Sequence, residues 1–343
     1  MTVPEQYKGR EQSYLKHRVL EEYLLGWGIK LGSVAQRGRR VRLCYVDGFA
    51  GPWQAKDAAL ADTSIAIGLD ALEAAITTWR SKGVEIDVDA FFVEKDARAF
   101  AELDRFLRGR TGAVRTQAYS GEFGDYVDTL KKKLASDTAF VFVDPTGWKG
   151  AAMHFIAPLL AGSKQRDVLV NVMFNHINRF KDDPRQFLRD QMREFFGLGD
   201  RDMPAALGEE ELFALYRGQL KQQCGVAYAA DLAIPHPTIE RTKLRLVVGG
   251  NNSKVLELFR DIERRVIGSE AALIRNDAAT RTTEQKTGQL SLQAGRAPHH
   301  ERPATRADRE GRAHPCGRAP VGLRGVALDT EGFKRRARPR PTP

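Results

Sequence analysis

Cysteine is scarce in this sequence. There are three in 343 residues (Cys44, Cys224 and Cys316), and no Cys-x-x-Cys pair. Such spacing excludes a disulfide framework and a cysteine zinc site, and it implies a reduced compartment. No run of 18 or more apolar residues occurs, so no membrane-spanning helix is expected. The opening MTVPEQYKGREQ lacks the apolar stretch of a signal peptide, and the expectation is a cytoplasmic protein. No G-x-G-x-x-G follows a strand-like run, which disfavours a nicotinamide-dinucleotide fold. No acidic triad of the kind that binds Mg²⁺ is clustered along the chain, so a nuclease has no support.

Hydrophobic residues make up 42% of the chain, enough for a sizeable core. The net charge of +10 is unevenly spread: residues 276–343 hold 14 Lys and Arg against 7 Asp and Glu. The body is therefore only mildly basic, and its charge alone does not define a nucleic-acid surface. The 276–343 tail has few large apolar residues and cannot offset its own chain entropy, so disorder is expected there. A basic tail can touch phosphates or be merely solvated, and Arg/Ala/Pro/Gly-rich text is also what an out-of-frame reading of GC-rich DNA gives.

Residues 1–275 alternate strand-like and helix-like segments, the pattern of an open α/β sheet. Helical spacing covers Glu11–Trp27, Ser64–Ser81, Ala97–Leu107, Phe123–Leu134, Ala152–Ala161 and Val255–Val266. Strands are expected at Val41–Val46, Val88–Val93, Val114–Ala118, Ala139–Val143 and Asp167–Met173. Two helices, Pro184–Phe196 and Glu209–Gln223, form an insertion at about 182–225. Tyr228–Ile234 and Thr242–Val248 lie too close together for a parallel crossover, so they must pair as an antiparallel hairpin. The expectation is a mostly parallel seven-stranded sheet closed by that hairpin.

Several motifs fall where such a sheet places ligands, at the carboxyl ends of its strands. The first strand runs into Asp47-Gly48-Phe49-Ala50-Gly51, where glycines allow close backbone approach, though a tight turn without a ligand is the plainer reading. The second ends on Glu94, a carboxylate suited to ribose hydroxyls or simply an exposed acid. After the third comes Ser120-Gly121-Glu122-Phe123, either a contact to a base edge or a helix cap. The fourth ends on Asp144-Pro145-Thr146-Gly147-Trp148, with Trp148 free to stack on a base or to pack on the sheet edge. Asn175, Asn178 and Arg179 follow the fifth strand as a possible substrate lining or a cap and loop. Lys16 and His17 sit on the first helix, within reach of the pocket or in structural roles.

Together LKHRVLEEYLLGW, YVDGFAGPW, TSIAI, FFVEKD, FVFVDPTGW and NVMFNHINRF resemble the bacterial three-Cys-motif partner proteins over roughly residues 10–265. The resemblance implies a class I methyltransferase-like Rossmann fold and a three-Cys-motif protein as partner. The Asp-x-Phe-Ala-Gly loop is similar to one that cradles S-adenosylmethionine in methyltransferases. Asp47, Gly48, Phe49, Ala50 and Gly51 would hold the cofactor, Glu94 its ribose and Glu122 its adenine side. Asp144-Pro145 resembles the D-P-P-Y end of amino-methylating enzymes, in which the acid and the proline carbonyl orient the target NH2. A more distant similarity, to ribosomal-RNA adenine-N6 methyltransferases, rests on Lys16-His17, Asp47, Ala50, Gly51, Ser64, Ala66 and Asp144-Pro145. This chain departs from that pattern at Asp62-Thr63-Ser64, at Pro52-Trp53 and at Thr146-Gly147. The implied activity is S-adenosylmethionine-dependent methylation of an amino nitrogen, with a nucleic acid as acceptor. Lys16, His17, Trp148, Asn175, Asn178 and Arg179 would line the acceptor side. The altered end of the fourth strand equally suits a non-catalytic nucleotide-binding partner.

Overall fold

The computed structural model describes residues 3–274, apart from 36–40, 52–54, 56–59, 136, 162–164, 182, 205, 238, 240 and 271–273. The tail beyond 275, with Cys316, and the Pro52-Trp53 pair lie outside the described residues.

A helix α1 (Glu11–Ala35) precedes strand β1 (Arg42–Asp47). There follow α2 (Ser64–Arg80), β2 (Asp87–Glu94), α3 (Ala97–Gly109), β3 (Arg115–Ser120), α4 (Val127–Leu134), β4 (Thr138–Val143), α5 (Met153–Leu160) and β5 (Arg166–Val172). Three helices come next, α6 (Phe174–Phe180), α7 (Gln186–Phe196) and α8 (Glu209–Cys224), then β6 (Tyr228–Pro235), β7 (Thr242–Gly250) and α9 (Lys254–Ile262). The strands form one sheet in the order β3-β2-β1-β4-β5-β7-β6. The first five are parallel, and β7 lies antiparallel between β5 and β6. That strand order, with its inserted antiparallel strand, is the class I methyltransferase-like arrangement.

Alternation along the strands divides the core in two. Leu43, Tyr45, Phe140, Phe142 and Leu169 pack under α1, α2 and α9. Cys44, Val46, Val141, Val143 and Val170 pack under α4, α5, α7 and α8. Both faces of the central strands are covered, so their sequences read as continuous apolar runs. β3 is the exception, half exposed and polar as suits a sheet edge.

Two elements differ from the sequence expectation. α1 continues past Trp27 to Ala35, because Gly26, Gly28 and Gly32 are not breakers. A Cβ on Gly28 would stand 2.7 Å from the Ala75 Cβ of α2, and one on Gly32 would stand 2.1 Å from Trp79. These glycines let two helix backbones approach closely. The stretch after β5, read as a polar cluster, is the short helix α6.

α1 crosses the sheet antiparallel to β4 and β5. Near its start Lys16 binds Asp144 beyond the end of β4. Two turns later Tyr23 stacks on Phe140 at 4.9 Å and donates its hydroxyl to Asp167 near the start of β5. Seven residues of helix rise about 10 Å, which matches the length of strand between these partners. On the other face the buried Arg166 donates to the carbonyls of Leu159 and Ala161 at the end of α5 and of Ala135 at the end of α4. One guanidinium thus meets the negative ends of two helices. Among the described residues no helix is long and apolar enough to cross a membrane.

Candidate functional site

Strand order reverses between β1 and β4, and ligands of open α/β sheets bind outside the strand ends at such a point. A cleft of about 580 Å³, its open mouth included, lies there. Gly48 and Phe49 after β1, Glu94 at the end of β2 and Lys95 after it, Gly121 to Phe123 after β3, and Asp144, Thr146, Lys149 and Gly150 after β4 form its wall.

The loop after β1 is held from within. Asp47 is fully buried and accepts from the Phe49 N–H at 3.1 Å and the Ser64 hydroxyl at 2.9 Å. Burial pushes its carboxyl up to about 7, against the opposing pull of those two hydrogen bonds. The Gly48 N–H donates to the Phe142 carbonyl at 3.0 Å, and the Ala50 N–H to the Val93 carbonyl at 2.8 Å. Three successive amides, 48 to 50, are therefore committed inside the protein. A pyrophosphate-binding turn needs such amides free to face the anion. Gly48 is required for packing, since a Cβ there would stand 2.8 Å from the Phe123 ring.

Glu94 is 3% exposed, and its Oε1 accepts from the Asp96 N–H at 2.6 Å. Gly121 has φ +151° and ties its N–H to the Glu94 carbonyl at 3.0 Å. Glu122, exposed, caps the short turn Phe123–Tyr126 by a reciprocal bond with Asp125. Asp144 is gripped on both oxygens. Lys16 Nζ lies 2.5 Å from Oδ2, and Asn171 Nδ2 donates to Oδ1 at 2.6 Å.

Gly48, Phe49, Glu94, Glu122 and Asp144 thus share one cleft, while Asp47 and Ala50 are fully buried and support its floor loop. Pro145 is buried directly after Asp144. Lys16 and His17 diverge, as neighbours on a helix must. Lys16 reaches Asp144, whereas His17 is buried with its Nδ1 2.9 Å from the Tyr7 hydroxyl. Burial, aided by the charges of Lys16 and Arg10, holds that imidazole well below its usual range. Trp148 is also buried: its indole N–H donates to Gln191 at 3.2 Å, and its ring packs on His176 and Phe180. It packs rather than offering a stacking face to the cleft. Asn175, Asn178 and Arg179 lie on α6 and are not part of the cleft wall; the Arg179 guanidinium stands 5.2 Å from the Phe180 ring.

The departure at Asp62-Thr63-Ser64 has a local explanation. Asp62 pairs with Arg10, Thr63 caps α2 by accepting from the Ala66 N–H, and Ser64 binds Asp47. Sequence reasoning missed Lys95, Thr146 and Lys149 on the wall, and Asn171 behind Asp144. The signal for Asn171 was present: one amide within an otherwise apolar run, Val-Leu-Val-Asn-Val.

No family model and no curated protein matches the chain. Among solved structures it is similar to the plantazolicin methyltransferase BpumL in complex with SAH, at 8% identity over 72% of this chain and 88% of that one, TM-score 0.36. Loganic acid methyltransferase with SAH is similar at 9% identity over 84% and 92%, TM-score 0.36. The O-methyltransferase TomG from Streptomyces achromogenes in complex with SAM is similar at 16% identity over 66% and 79%, TM-score 0.30. The class I methyltransferase-like fold of this chain rests on its own strand order and inserted antiparallel strand.

Proposed function

We propose that the chain is an S-adenosylmethionine-dependent methyltransferase acting on an amino nitrogen of a nucleic-acid base, in concert with a three-Cys-motif protein. The observation that carries this reading is the committed loop after β1, whose amides 48 to 50 cannot receive a pyrophosphate. A nucleoside carrying a cationic sulfur centre places no such demand. The residues present fit that group. Glu94 would accept from the ribose hydroxyls, Gly48 and Phe49 would bound the amino-acid end, and Gly121 to Phe123 would face the base. When bound, S-adenosylmethionine supplies an electrophilic methyl carbon on sulfonium sulfur. Asp144 would accept a hydrogen bond from the substrate amine and orient its lone pair, so the chain would contribute mainly positioning. Lys95 and Lys149 on the wall, and Arg179 on the helix leaving the same edge, suit the phosphates of a nucleic acid. The partner protein rests on the sequence resemblance alone.

Calorimetric titration with S-adenosylhomocysteine, and separately with NAD, tests the pocket. Micromolar binding of the first and none of the second is expected, with Glu94→Ala weakening the first about tenfold or more. Asp144→Ala should keep that affinity within about threefold and abolish methyl transfer. A folded protein that binds NAD and not S-adenosylhomocysteine refutes the assignment.

A second reading, a nucleotide-binding module without catalysis, is favoured by the burial of Trp148, which leaves no aromatic after Asp144-Pro145 to stack on a base. Cofactor binding with no transfer of labelled methyl to any nucleic acid would select it.

A further inference from the structure

Asn171 interrupts an apolar strand at the one place where that strand passes the reactive edge. β4 and β5 run parallel with Val143 opposite Val170, so Asp144, the first residue past the end of β4, lies beside Asn171, which is still within β5 opposite Leu246 of β7. Asn171 is 3% exposed. Its Nδ2 donates to Asp144 Oδ1, while its Oδ1 is buried with no hydrogen-bond donor among the described residues. Turning the amide over would set that oxygen against the Asp144 carboxylate, acceptor to acceptor, so the orientation is forced. A buried acceptor with no donor is costly to fold, and Leu at this position would avoid the cost. The fold retains a destabilising side chain whose one bond goes to Asp144.

We infer that Asn171 is a positioning residue that, with Lys16, fixes the Asp144 carboxylate for the substrate. This rests on the methyltransferase reading above. Lys16 occupies one lone pair of Oδ2 and Asn171 one of Oδ1. Each oxygen keeps one further lone pair, and the carboxylate plane cannot rotate. One of these free lone pairs would receive an N–H of the acceptor amine. In the reaction the amine lone pair forms the bond to the methyl carbon, the carbon–sulfur pair returns to sulfur, and one N–H proton passes to water.

The signature of such a residue is that activity and stability separate. Asn171→Leu removes the orphan oxygen and the donor together, and Asn171→Asp keeps the shape while replacing the donor with a second carboxylate. The assay measures methyl transfer from labelled S-adenosylmethionine to pooled RNA and DNA oligomers by full-length protein, with melting temperature and S-adenosylhomocysteine affinity on the same samples. Expected for Asn171→Leu is a melting temperature unchanged or raised, affinity and KM within about threefold, and kcat lower by about tenfold or more. Asn171→Asp should lose at least as much kcat. Wild-type kcat in a folded Asn171→Leu overturns the inference and leaves the methyltransferase reading standing, as does a fall in melting temperature with kcat intact. Wild-type protein that binds S-adenosylhomocysteine yet methylates no pool overturns both the role of Asp144 and that of Asn171. Failure to bind S-adenosylhomocysteine at all overturns the underlying reading.

Discussion

Asp47 and Asp167 are carboxyl groups placed where water scarcely reaches, and burial pushes both up to about 7. Each holds a proton in the folded chain at pH values where the unfolded chain has released it. Their contribution to stability is complete below about pH 4 and is lost as pH rises through about 7. Denaturant unfolding of wild type should therefore show stability falling across that window. Asp167→Asn cannot ionise, so its curve should be flatter there by something on the order of 2–4 kcal/mol. An unchanged slope in Asp167→Asn would show that the Tyr23–Asp167 contact is already ionised in the folded state. At this scale the sequence was only partly legible. It gave the type of residue at each strand end, since carboxylates and glycines after apolar runs are visible in the text. It did not give the direction of each side chain. Asp47 turns inward to hold its own loop through Phe49 and Ser64, and Trp148 turns into the core against Gln191, His176 and Phe180, tertiary neighbours that no local pattern reveals.

Elements show the same division. The strands were legible because a sheet covered on both faces needs unbroken apolar runs, and the hairpin was legible because its turn is too short for a crossover. The second half of α1 was not, because Gly26, Gly28 and Gly32 are stop signals to any local rule. In an exposed helix Gly→Ala gains about 0.5–1 kcal/mol. At Gly28 the added carbon would stand 2.7 Å from the Ala75 Cβ, a short side chain that cannot swing away. Gly28→Ala should therefore destabilise by about 1–3 kcal/mol, read as a lower melting temperature. A gain instead would mean that α1 and α2 can separate without penalty.

For the whole molecule, the inserted strand β7 is paired on both sides and buried along most of its length, and an ion-pair network at Arg245 ties it to its neighbours. Arg245 of β7 bonds to Asp231 of β6 at 2.7 Å and to Glu209 of α8 at 2.8 Å, with Glu210 and Arg217 completing the network. Asp231 is buried, and removing it takes away the carboxylate that Arg217 pairs with and leaves Arg245 with only the two glutamates of α8. Asp231→Ala should cost about 1–3 kcal/mol, whereas an apolar replacement of Asp231 and Arg245 together should cost less. Equal losses in the single and double variants, measured by chemical denaturation, would rule the network out as a coupled unit. Nothing in the sequence revealed that β7 inserts between β5 and β6, since hairpin spacing is the same whichever strand takes the inner place.

The crossing of α1 over β4 and β5 also sets a timetable for synthesis. Lys16 and Asp144 are 128 residues apart, and Tyr23 and Asp167 are 144 apart. At about 5–20 residues per second, the helix leaves the ribosome roughly 6–30 s before the strands it covers. Until those strands emerge, Leu15, Val19, Leu20, Tyr23 and Leu24, all buried in the finished protein, lack part of their cover, although α2, whose Ile65, Leu69 and Leu72 share their core, follows sooner. The nascent chain therefore carries a partly covered apolar stripe along α1 until β4 and β5 arrive, a handhold for a chaperone at the exit tunnel.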